Sequence, residues 1–506
     1  MTSPVSLFDQ EIGRLNDVLC AINLLGWDAR TQMPAGAAQM RGAQVATLTG
    51  LARGIATGQA MRDAIARELD HLDDRPGSAL RRRAVLDTQA AIDIAGRIPE
   101  KLVVEAAALK TKAQQVWAEA RAKNDFALFQ RLLERTVDIQ REIATAIGYV
   151  AHPYDALIRQ YEPGMTLADL QKLFARLKAG LLPLIDTARG RPQPRLDVLE
   201  RTYPVDVQKR FALGIAQRFG YDLKRGRLDE TVHPFEISFT REDVRITGRF
   251  RENWLPGGLF AIWHEAGHGI YEQGIDPSFS RGAFVTDILN LYAVGGTSFG
   301  MHESQSRLFE NRVGRSHRFW ELHYADLQQH FPESLGDIDV ETFWCAVNAV
   351  RPSFIRVEAD ELTYDFHVIL RVEIEAALIA GEIAVRDLPA IWAEKMQTYL
   401  GLTVPDDTRG VLQDVHWSAG MIGSFPTYTL GNVMGAQLFA AAREVPEVAA
   451  GLHNGDYLPL THWLNHHVHR HGRSRTPDEI LHDATGSGLD PAPYLRDLTE
   501  KVALLA

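Results

Sequence analysis

Apolar residues recur at intervals of three and four along most of this chain, and this period restricts its fold more than any other feature. Residues 10–25 show it first, with an apolar face made of Ile12, Leu15, Val18, Leu19 and Ile22. Similar stretches follow at 40–70, 80–95, 99–120, 126–149, 167–188 and 205–219. Residues spaced in this way share one side of an α-helix and pack that side on a core. The period therefore predicts a mainly α fold.

The pattern changes between residues 231 and 250. Apolar residues here alternate with polar ones on both sides of a predicted turn at Thr240–Glu242, and they are Phe235, Ile237, Phe239, Val244 and Ile246. Alternation of this kind predicts a small antiparallel hairpin or sheet. An edge strand can bind an extended peptide by strand addition, and a purely structural hairpin is the alternative. Helical period returns at Leu259 and continues to the end of the chain.

Composition narrows the class of protein. The 506 residues are 45% hydrophobic and 24% charged, with 54 basic and 65 acidic side chains and a net charge of -11. This acidic balance argues against nucleic acid or an anionic membrane as the main partner. No apolar stretch approaches the ~20 residues of a membrane span, and the first residues do not resemble a secretion signal. We therefore expect a cytoplasmic globular protein, with Cys20 and Cys345 as buried free thiols.

One short motif carries chemistry, namely His264-Glu265-Ala266-Gly267-His268. Two histidines four residues apart on a helix differ by about 40° and about 6 Å, so both imidazoles leave the same face. They can share one tetrahedral Zn²⁺ at about 2 Å each. Glu265, displaced by about 100°, can reach a water at that metal and act as a general base. An apolar helix with two core histidines is the structural alternative.

A catalytic zinc site needs a third protein ligand and one open position. The ten residues after His268 contain no further histidine. Another predicted helix begins at residues 302–307 and carries Glu303, the natural candidate for a site of two histidines and one glutamate. Glu272 and Asp287 are competitors. Because Glu272 follows His268 by four residues on the same helix, we expect it behind the ligands or at the surface.

These motifs, in this order, resemble those of the M32 metallocarboxypeptidases, the carboxypeptidase Taq type. The resemblance extends over nearly the whole chain, through Leu25–Asp28, Thr31–Pro34, Pro153–Leu157, Glu162–Thr166, His233–Phe235, Asp243–Thr247, Ile355–Asp360, Gly410–Trp417 and Phe425–Gly431. It implies one peptidase unit over residues 1–506, with two helical lobes around a deep groove and a small antiparallel β element, as in neurolysin-like peptidases. The metal-site helices would lie within about 255–315. It also implies removal of single C-terminal residues from peptides, broad specificity and a homodimer.

The resemblance also implies roles for individual residues. His264, His268 and Glu303 match the family's metal ligands, with Zn²⁺ as the expected metal and Co²⁺ as the alternative, and Glu265 matches its catalytic acid/base. The chain departs from the family pattern in one length, because 34 residues separate His268 from Glu303. The extra length lies around Ala283–Val294, where a loop insertion would reshape the wall of the groove.

Residues in the matched C-terminal motifs are candidates for the rest of the site. His416 or Tyr428 could donate a hydrogen bond to the oxyanion, and a structural role is the alternative for each. Arg356 is the first candidate for binding the α-carboxylate of the substrate, because its planar fork suits two-point recognition. The alternative for Arg356 is an ion pair with Glu358 or Asp360.

Three further assignments and two further functions stay open. Asp360 is a candidate to orient a zinc histidine, and His233 and Arg245 are expected to line the groove. A zinc oligoendopeptidase or dipeptidyl carboxypeptidase would use the same metal ligands, and an enzyme that cleaves internal bonds would need no carboxylate-binding arginine. A non-catalytic peptide- or metal-binding helical protein would give Glu265 no role.

Overall fold

The computed structural model describes residues 6–70 and 78–505, so Met1–Val5, which entered the expectation on localisation, lie outside the described residues. Twenty-one α-helices occur in the described ranges. They are α1 (Leu7–Thr31), α2 (Ala38–Thr57), α3 (Gln59–Leu69), α4 (Ser78–Arg97), α5 (Glu100–Lys123), α6 (Phe126–Ile147), α7 (Pro153–Ile158), α8 (Leu167–Arg189), α9 (Val205–Phe219), α10 (Leu255–Gln273), α11 (Phe299–Arg307), α12 (His317–His330), α13 (Pro332–Leu335), α14 (Val340–Val347), α15 (Tyr364–Ala380), α16 (Leu388–Leu400), α17 (Pro426–Arg443), α18 (Pro446–Asn454), α19 (Leu458–His467), α20 (Pro477–Thr485) and α21 (Ala492–Leu504).

The mainly α fold is confirmed, and the helical stretches predicted from the period correspond to α1, α4, α5, α6, α8 and α9. The stretch at 40–70 differs, because it forms two helices, α2 and α3. Gly58 separates them with extended backbone angles, φ -73° and ψ 165°. Glycine lowers helix propensity in a helix interior, which explains a break that the apolar period alone does not show.

The β element is a three-stranded sheet of β1 (Gly226–Glu230), β2 (Glu236–Thr240) and β3 (Asp243–Gly248), in the order β1-β3-β2. The predicted hairpin is present, since β2 and β3 pair antiparallel around a turn at Arg241–Glu242. Strand β1 precedes the predicted stretch and joins the sheet by pairing parallel with β3. Leu228 is the single apolar residue of β1, so its sequence shows no alternation. A second, two-stranded sheet contains β4 (Thr286–Asp287) and β5 (Tyr292–Ala293).

The chain divides into two compact units. The first unit comprises Met1–Ala95, Pro194–Val347 and Met434–Asp490. One face of α1 is buried there against α2, α3 and α4, together with Phe284, Ile288 and Ala293. The segment Ala283–Val294, expected as a loop insertion, is therefore part of a core and not an exposed loop.

The second unit comprises Gly96–Gln193, Asn348–Val433 and Pro491–Ala506. Its central helix is α15, which packs against α6, α7, α8 and α16 and is buried on nearly every face. This helix carries buried polar side chains, and the partners of Asp365 account for the burial of one of them. Asp365 accepts hydrogen bonds from Thr429, Asn432 and Tyr494. Buried charges are tolerated when they are hydrogen-bonded or paired in this way.

Two expectations from composition can be compared with the structure. Every helix of the described ranges is too short or too polar to cross a membrane. Cys20 and Cys345 are free thiols, as predicted, but each is only half-buried.

Candidate metal centre

Helix α10 is buried almost all round, which fits its high content of apolar residues. Pro256 in its first turn suits a helix start because the missing N–H has no partner to lose there. The helix packs against α9, α11 and β3. Trp263 anchors it, with no exposed surface and an indole N–H that donates to the Ala212 carbonyl at 3.1 Å. The metal motif therefore lies on a rigid element.

Gly267 allows α11 to approach α10 closely. A Cβ at this position would lie 2.5 Å from the Gln305 carbonyl oxygen and 2.7 Å from the Ser306 Cα, which are main-chain atoms that cannot turn aside. The close approach brings α11, and with it Glu303, within reach of the two histidines.

We expect Gly267→Ala to push α10 and α11 apart, to cost about 1–3 kcal/mol of stability and to weaken metal binding. Gly214→Ala is the matched control, because Gly214 also lies inside a helix, α9, and its added Cβ would meet nothing within 4 Å. Thermal unfolding and metal content of both variants check this. Equal behaviour of Gly267→Ala and Gly214→Ala would contradict the role given to the close approach.

The three predicted ligands converge. His264 Nε2 lies 3.5 Å from Glu303 Oε2, and His268 Nε2 lies 3.3 Å from the same oxygen. All three donor atoms lie within 4.8 Å of one another, and no other three His, Cys, Asp or Glu side chains converge in this way in the described ranges. A tetrahedral ion with bonds of about 2 Å separates its ligands by about 3.3 Å. The donor set and its spacing thus fit one metal ion.

The two competing carboxylates are engaged elsewhere. Glu272 accepts hydrogen bonds from the amides of Gly295 and Gly296. Asp287 Oδ1 accepts from the amides of Leu289 and Asn290. Neither carboxylate belongs to the converging group. Glu272 is buried, so of the two places expected for it, the one behind the ligands is the one observed.

Each imidazole also has a partner on its far nitrogen. His264 Nδ1 lies 2.9 Å from Glu310 Oε2, and His268 Nδ1 lies 2.5 Å from His302 Nδ1. Such partners fix the ring and leave Nε2 free for a metal. The hypothesis that Asp360 orients a zinc histidine is wrong. Its carboxylate instead accepts hydrogen bonds from the hydroxyl of Thr363 and from the amides of Arg351, Leu362 and Thr363.

Glu310 and Arg307 were missed by the sequence analysis. Glu310 lies on a π-helical turn, Leu308–Val313, directly after α11. Arg307 Nε donates to Glu303 Oε1 at 2.7 Å, which leaves Oε2 directed at the histidines. Glu310 follows Glu303 by seven residues, two helical turns on, and that spacing is the signal that could have indicated it. Single π-helical turns are frequent at functional sites.

The charges of the group favour a bound cation. Burial lowers the pKa of His264, but Glu303 and Glu310 outweigh burial and raise it to about 10. Burial raises the pKa of Glu303, but His264 and Arg307 hold it well below its ordinary value. Burial lowers the pKa of His268 to about 3, so its ring is neutral. A pocket that stabilises positive charge on His264 stabilises a metal ion at the same place.

Glu265 stands next to the first ligand and is only 6% exposed. Burial, opposed by the neighbouring His264, raises the pKa of its carboxyl to about 7. A carboxyl with a pKa in this range can both take up and give back a proton near neutral pH.

A second cluster lies within the second unit. Arg356 Nε and Nη2 donate to Asp414 Oδ1 at 3.1 and 2.9 Å, and its Nη1 donates to the Tyr364 hydroxyl at 2.9 Å. The alternative of an ion pair with Glu358 or Asp360 is therefore wrong, since the partner is Asp414. Arg371, which has no exposed surface, binds the other oxygen, with Nε donating to Asp414 Oδ2 at 2.7 Å. Two guanidinium groups share one carboxylate, and a net positive charge remains.

His416 and Tyr428 belong to the same cluster. His416 Nε2 lies 2.9 Å from the Tyr428 hydroxyl, and its ring packs on that of Phe425. Burial lowers the pKa of His416 to about 4, so its ring is neutral at physiological pH. The Arg356 guanidinium carbon lies 4.6 Å from the centre of the Tyr428 ring. The structure therefore brings three of the predicted residues, Arg356, His416 and Tyr428, together.

The other two predicted residues lie on the β element. His233 is exposed in the segment between β1 and β2. Arg245 lies on β3, where its Nε and Nη2 donate to the two carboxylate oxygens of Asp243 at 2.9 and 2.8 Å. Its guanidinium also covers the ring of Trp27 at 4.3 Å. The charge of Arg245 is thus neutralised locally.

Two side chains form hydrogen bonds with main-chain carbonyls of strand β2. Asn23 Nδ2 donates to the Ser238 carbonyl at 2.9 Å, and Cys20 Sγ lies 2.7 Å from the Phe239 carbonyl. Both side chains come from α1. These contacts favour the structural role of the hairpin over strand addition by a peptide at this half of the strand.

The fold is helical, and its site combines two histidine ligands, a carboxylate as the third ligand and an adjacent buried glutamate. These features together define a metallopeptidase. The chain matches the family described as carboxypeptidase Taq (M32) metallopeptidase over residues 7–502, and it belongs to that family. It is a metallocarboxypeptidase, as the sequence predicted, and the alternative functions find no support.

Similar proteins agree with this assignment over nearly their full length. The chain is 39% identical to carboxypeptidase 1 of Bacillus subtilis over 495 residues, covering 96% of this chain and 95% of the relative. It is 40% identical to thermostable carboxypeptidase 1 of Thermus thermophilus over 501 residues, covering 95% of each. The crystal structure of an M32 carboxypeptidase from Deinococcus radiodurans superposes with a TM-score of 0.93 at 39% identity, covering 98% of both chains.

Proposed function

We propose that this carboxypeptidase uses zinc, held by His264, His268 and Glu303, and removes single residues from peptides with broad specificity. The observation that carries the proposal is the convergence of the three donor atoms within 4.8 Å beside the buried Glu265. Two imidazoles and one carboxylate at tetrahedral spacing are a typical catalytic zinc donor set, and Co²⁺ accepts the same donors.

Glu265 is the proposed general acid/base. When bound, the metal lowers the pKa of a water and polarises the scissile carbonyl. Glu265 takes the proton of the attacking water on its carboxylate and returns it to the nitrogen of the leaving residue. Its burial excludes bulk water from this transfer, and Glu310 holds the neighbouring imidazole in place.

The cluster of the second unit is proposed to act on the C-terminal end of the substrate. Tyr428 or His416 donates a hydrogen bond to the developing oxyanion, which their mutual contact at 2.9 Å supports by orienting both groups. Arg356 binds the α-carboxylate, supported by the excess positive charge of two arginines on Asp414. Recognition of a free carboxylate by a guanidinium is a charge-assisted interaction.

His233 and Arg245 are proposed to line the path of the peptide. The exposed position of His233 supports its part. Arg245 is half-buried and paired with Asp243, so we expect it to contribute by shape and stacking more than by charge.

Hydrolysis of a short peptide with a free C-terminus, compared with its C-terminally amidated twin, tests this function. We expect stepwise loss of single residues from the free peptide alone, abolished by a chelator and restored by Zn²⁺ or Co²⁺. Mass spectrometry of the products measures it. Equal cleavage of both peptides would remove the role given to Arg356. Activity that persists in a chelator, after the metal is shown to be gone, would contradict the metal site.

Three broader expectations stay predictions. They are a cytoplasmic location, a homodimer, and one peptidase unit over residues 1–506. Light scattering of the purified protein measures its mass in solution and so tests the homodimer directly.

A further inference from the structure

Glu272 is a buried carboxylate to which the mechanism assigns no step. It lies in the last turn of α10 and is 4% exposed. Its oxygens accept from the amides of Gly295 and Gly296 at 2.9 Å each and from the Ser238 hydroxyl at 3.2 Å. A further partner is His302 Nε2, 2.9 Å from Oε1. A carboxylate so well supplied with donors is held in one position.

His302 connects this carboxylate to the metal ligand His268. Because a carboxylate only accepts, the proton of His302 lies on Nε2, and Nδ1 carries the lone pair. That lone pair accepts from His268 Nδ1, 2.5 Å away. The proton of His268 is thereby held on Nδ1, and its Nε2 lone pair faces Glu303 Oε2. Each hydrogen bond in this series fixes the tautomer of the next ring.

The two glycines provide space as well as amides. A Cβ on Gly296 would lie 2.3 Å from Cδ2 of His302, and a Cβ on Gly295 would lie 2.6 Å from Ile275 Cδ1 and 3.2 Å from Glu272 Oε2. Arg473 Nη1 donates to the Gly296 carbonyl at 3.0 Å and holds this part of the chain. Side chains at these positions would displace Glu272 and His302.

We propose that Glu272 and His302, seated on Gly295–Gly296, are positioning residues for the metal. They orient His268 and select the tautomer that can bind the ion. The inference rests on the metal-binding role proposed for His268. The two histidine ligands also differ in their partners. His264 contacts the carboxylate of Glu310 directly, whereas His268 is connected to the carboxylate of Glu272 through the imidazole of His302.

Glu272→Gln probes the tautomer without changing shape. If the Gln NH₂ takes the place of Oε1, it meets the Gly296 N–H, donor against donor, and it faces His302 Nε2, which must then accept. The proton of His302 would move to Nδ1, and His268 would have to carry its proton on Nε2, which blocks the metal. If the NH₂ takes the place of Oε2, it meets the Gly295 N–H, donor against donor, and the carboxamide is pushed away from its position at His302. Either arrangement weakens the site.

The test is a titration of the apo enzyme with Co²⁺, followed by its visible absorption. We expect Glu272→Gln to weaken Co²⁺ binding about 10–100-fold and to alter the absorption bands. Glu375→Gln is the matched control. Glu375 is also a fully buried carboxylate, accepting from Tyr154, Trp417 and the Gly423 amide. It belongs to the second unit, so its variant should lose stability and keep its Co²⁺ affinity.

His302→Phe is the second variant, because the ring still packs on Tyr271 and both hydrogen bonds are lost. We expect the same loss of affinity, and this variant decides the matter should Glu272→Gln not fold. Wild-type affinity and spectrum in either folded variant would overturn the positioning role of Glu272 and His302. A wild-type protein that binds no Co²⁺ would instead overturn the proposed metal site, so the two failures are distinguishable without measuring activity.

Discussion

Glu265→Gln is expected to lower kcat/KM for a peptide with a free C-terminus by about 10²–10⁴-fold while the metal stays bound. Gln has the shape of Glu but cannot take a proton from water at neutral pH. The ligands His264, His268 and Glu303 are untouched by the change, so metal content and thermal stability should be those of the wild type. Steady-state hydrolysis and metal analysis of the same preparation measure both quantities.

Glu242→Gln is the control for this substitution. Glu242 lies in the exposed turn between β2 and β3, where its partner is Arg241, so its loss should leave the rate within error. Full activity of Glu265→Gln with a bound metal would exclude the general acid/base role.

The ligands could be predicted from sequence because their geometry is local. A spacing of four residues on one helix sets the relation of His264 and His268 whatever the rest of the chain does. Glu303 was harder, since its approach depends on Gly267 and on the contact of two helices. Its assignment needed the order of motifs that the family shares.

The residues behind the ligands could not be predicted in the same way. Glu310 reaches His264 from a π-helical turn, a backbone state that no apolar period shows. Glu272 acts through His302 only because Gly295 and Gly296 bring their amides to it. Both arrangements arise from tertiary contacts.

The fold likewise contains features set by local sequence, which were predicted, and features set by tertiary contacts, which were not. Helices α8 and α9, which have a clear apolar stripe, were predicted to within one residue at each end, because burial of one face determines both the period and the structure. Strand β1 was missed because a partner strand, and not its own pattern, makes it a strand. The segment Ala283–Val294 looked like an insertion by length, although Phe284 and Ile288 bury it in the core of the first unit.

Asp414→Asn is expected to be strongly destabilising, by about 3–5 kcal/mol, which for a chain of 506 residues corresponds to a fall of roughly 3–5 °C in Tm. Arg371 has no exposed surface and Arg356 is 5% exposed, so a neutral Asn would leave two like charges buried together. Asp406→Asn is the matched control. Asp406 pairs with the exposed Arg409, and solvent screens such a pair. Thermal unfolding of both variants at pH 7 measures the difference.

The pH dependence of this effect follows from the charge of Asp414. Burial raises the pKa of its carboxyl, but Arg371 and Arg356 hold it well below its ordinary value. The stabilisation is therefore fully present above the unfolded pKa of about 4 and is lost only as the pH falls further. We expect a constant gap between wild type and Asp414→Asn from pH 6 to 8. Adding Arg371→Met to Asp414→Asn removes one of the two unpaired cations and should recover part of the loss. A gap that grows steadily with pH across this range, or no recovery in the double variant, would mean that the shared carboxylate is not what stabilises the two arginines.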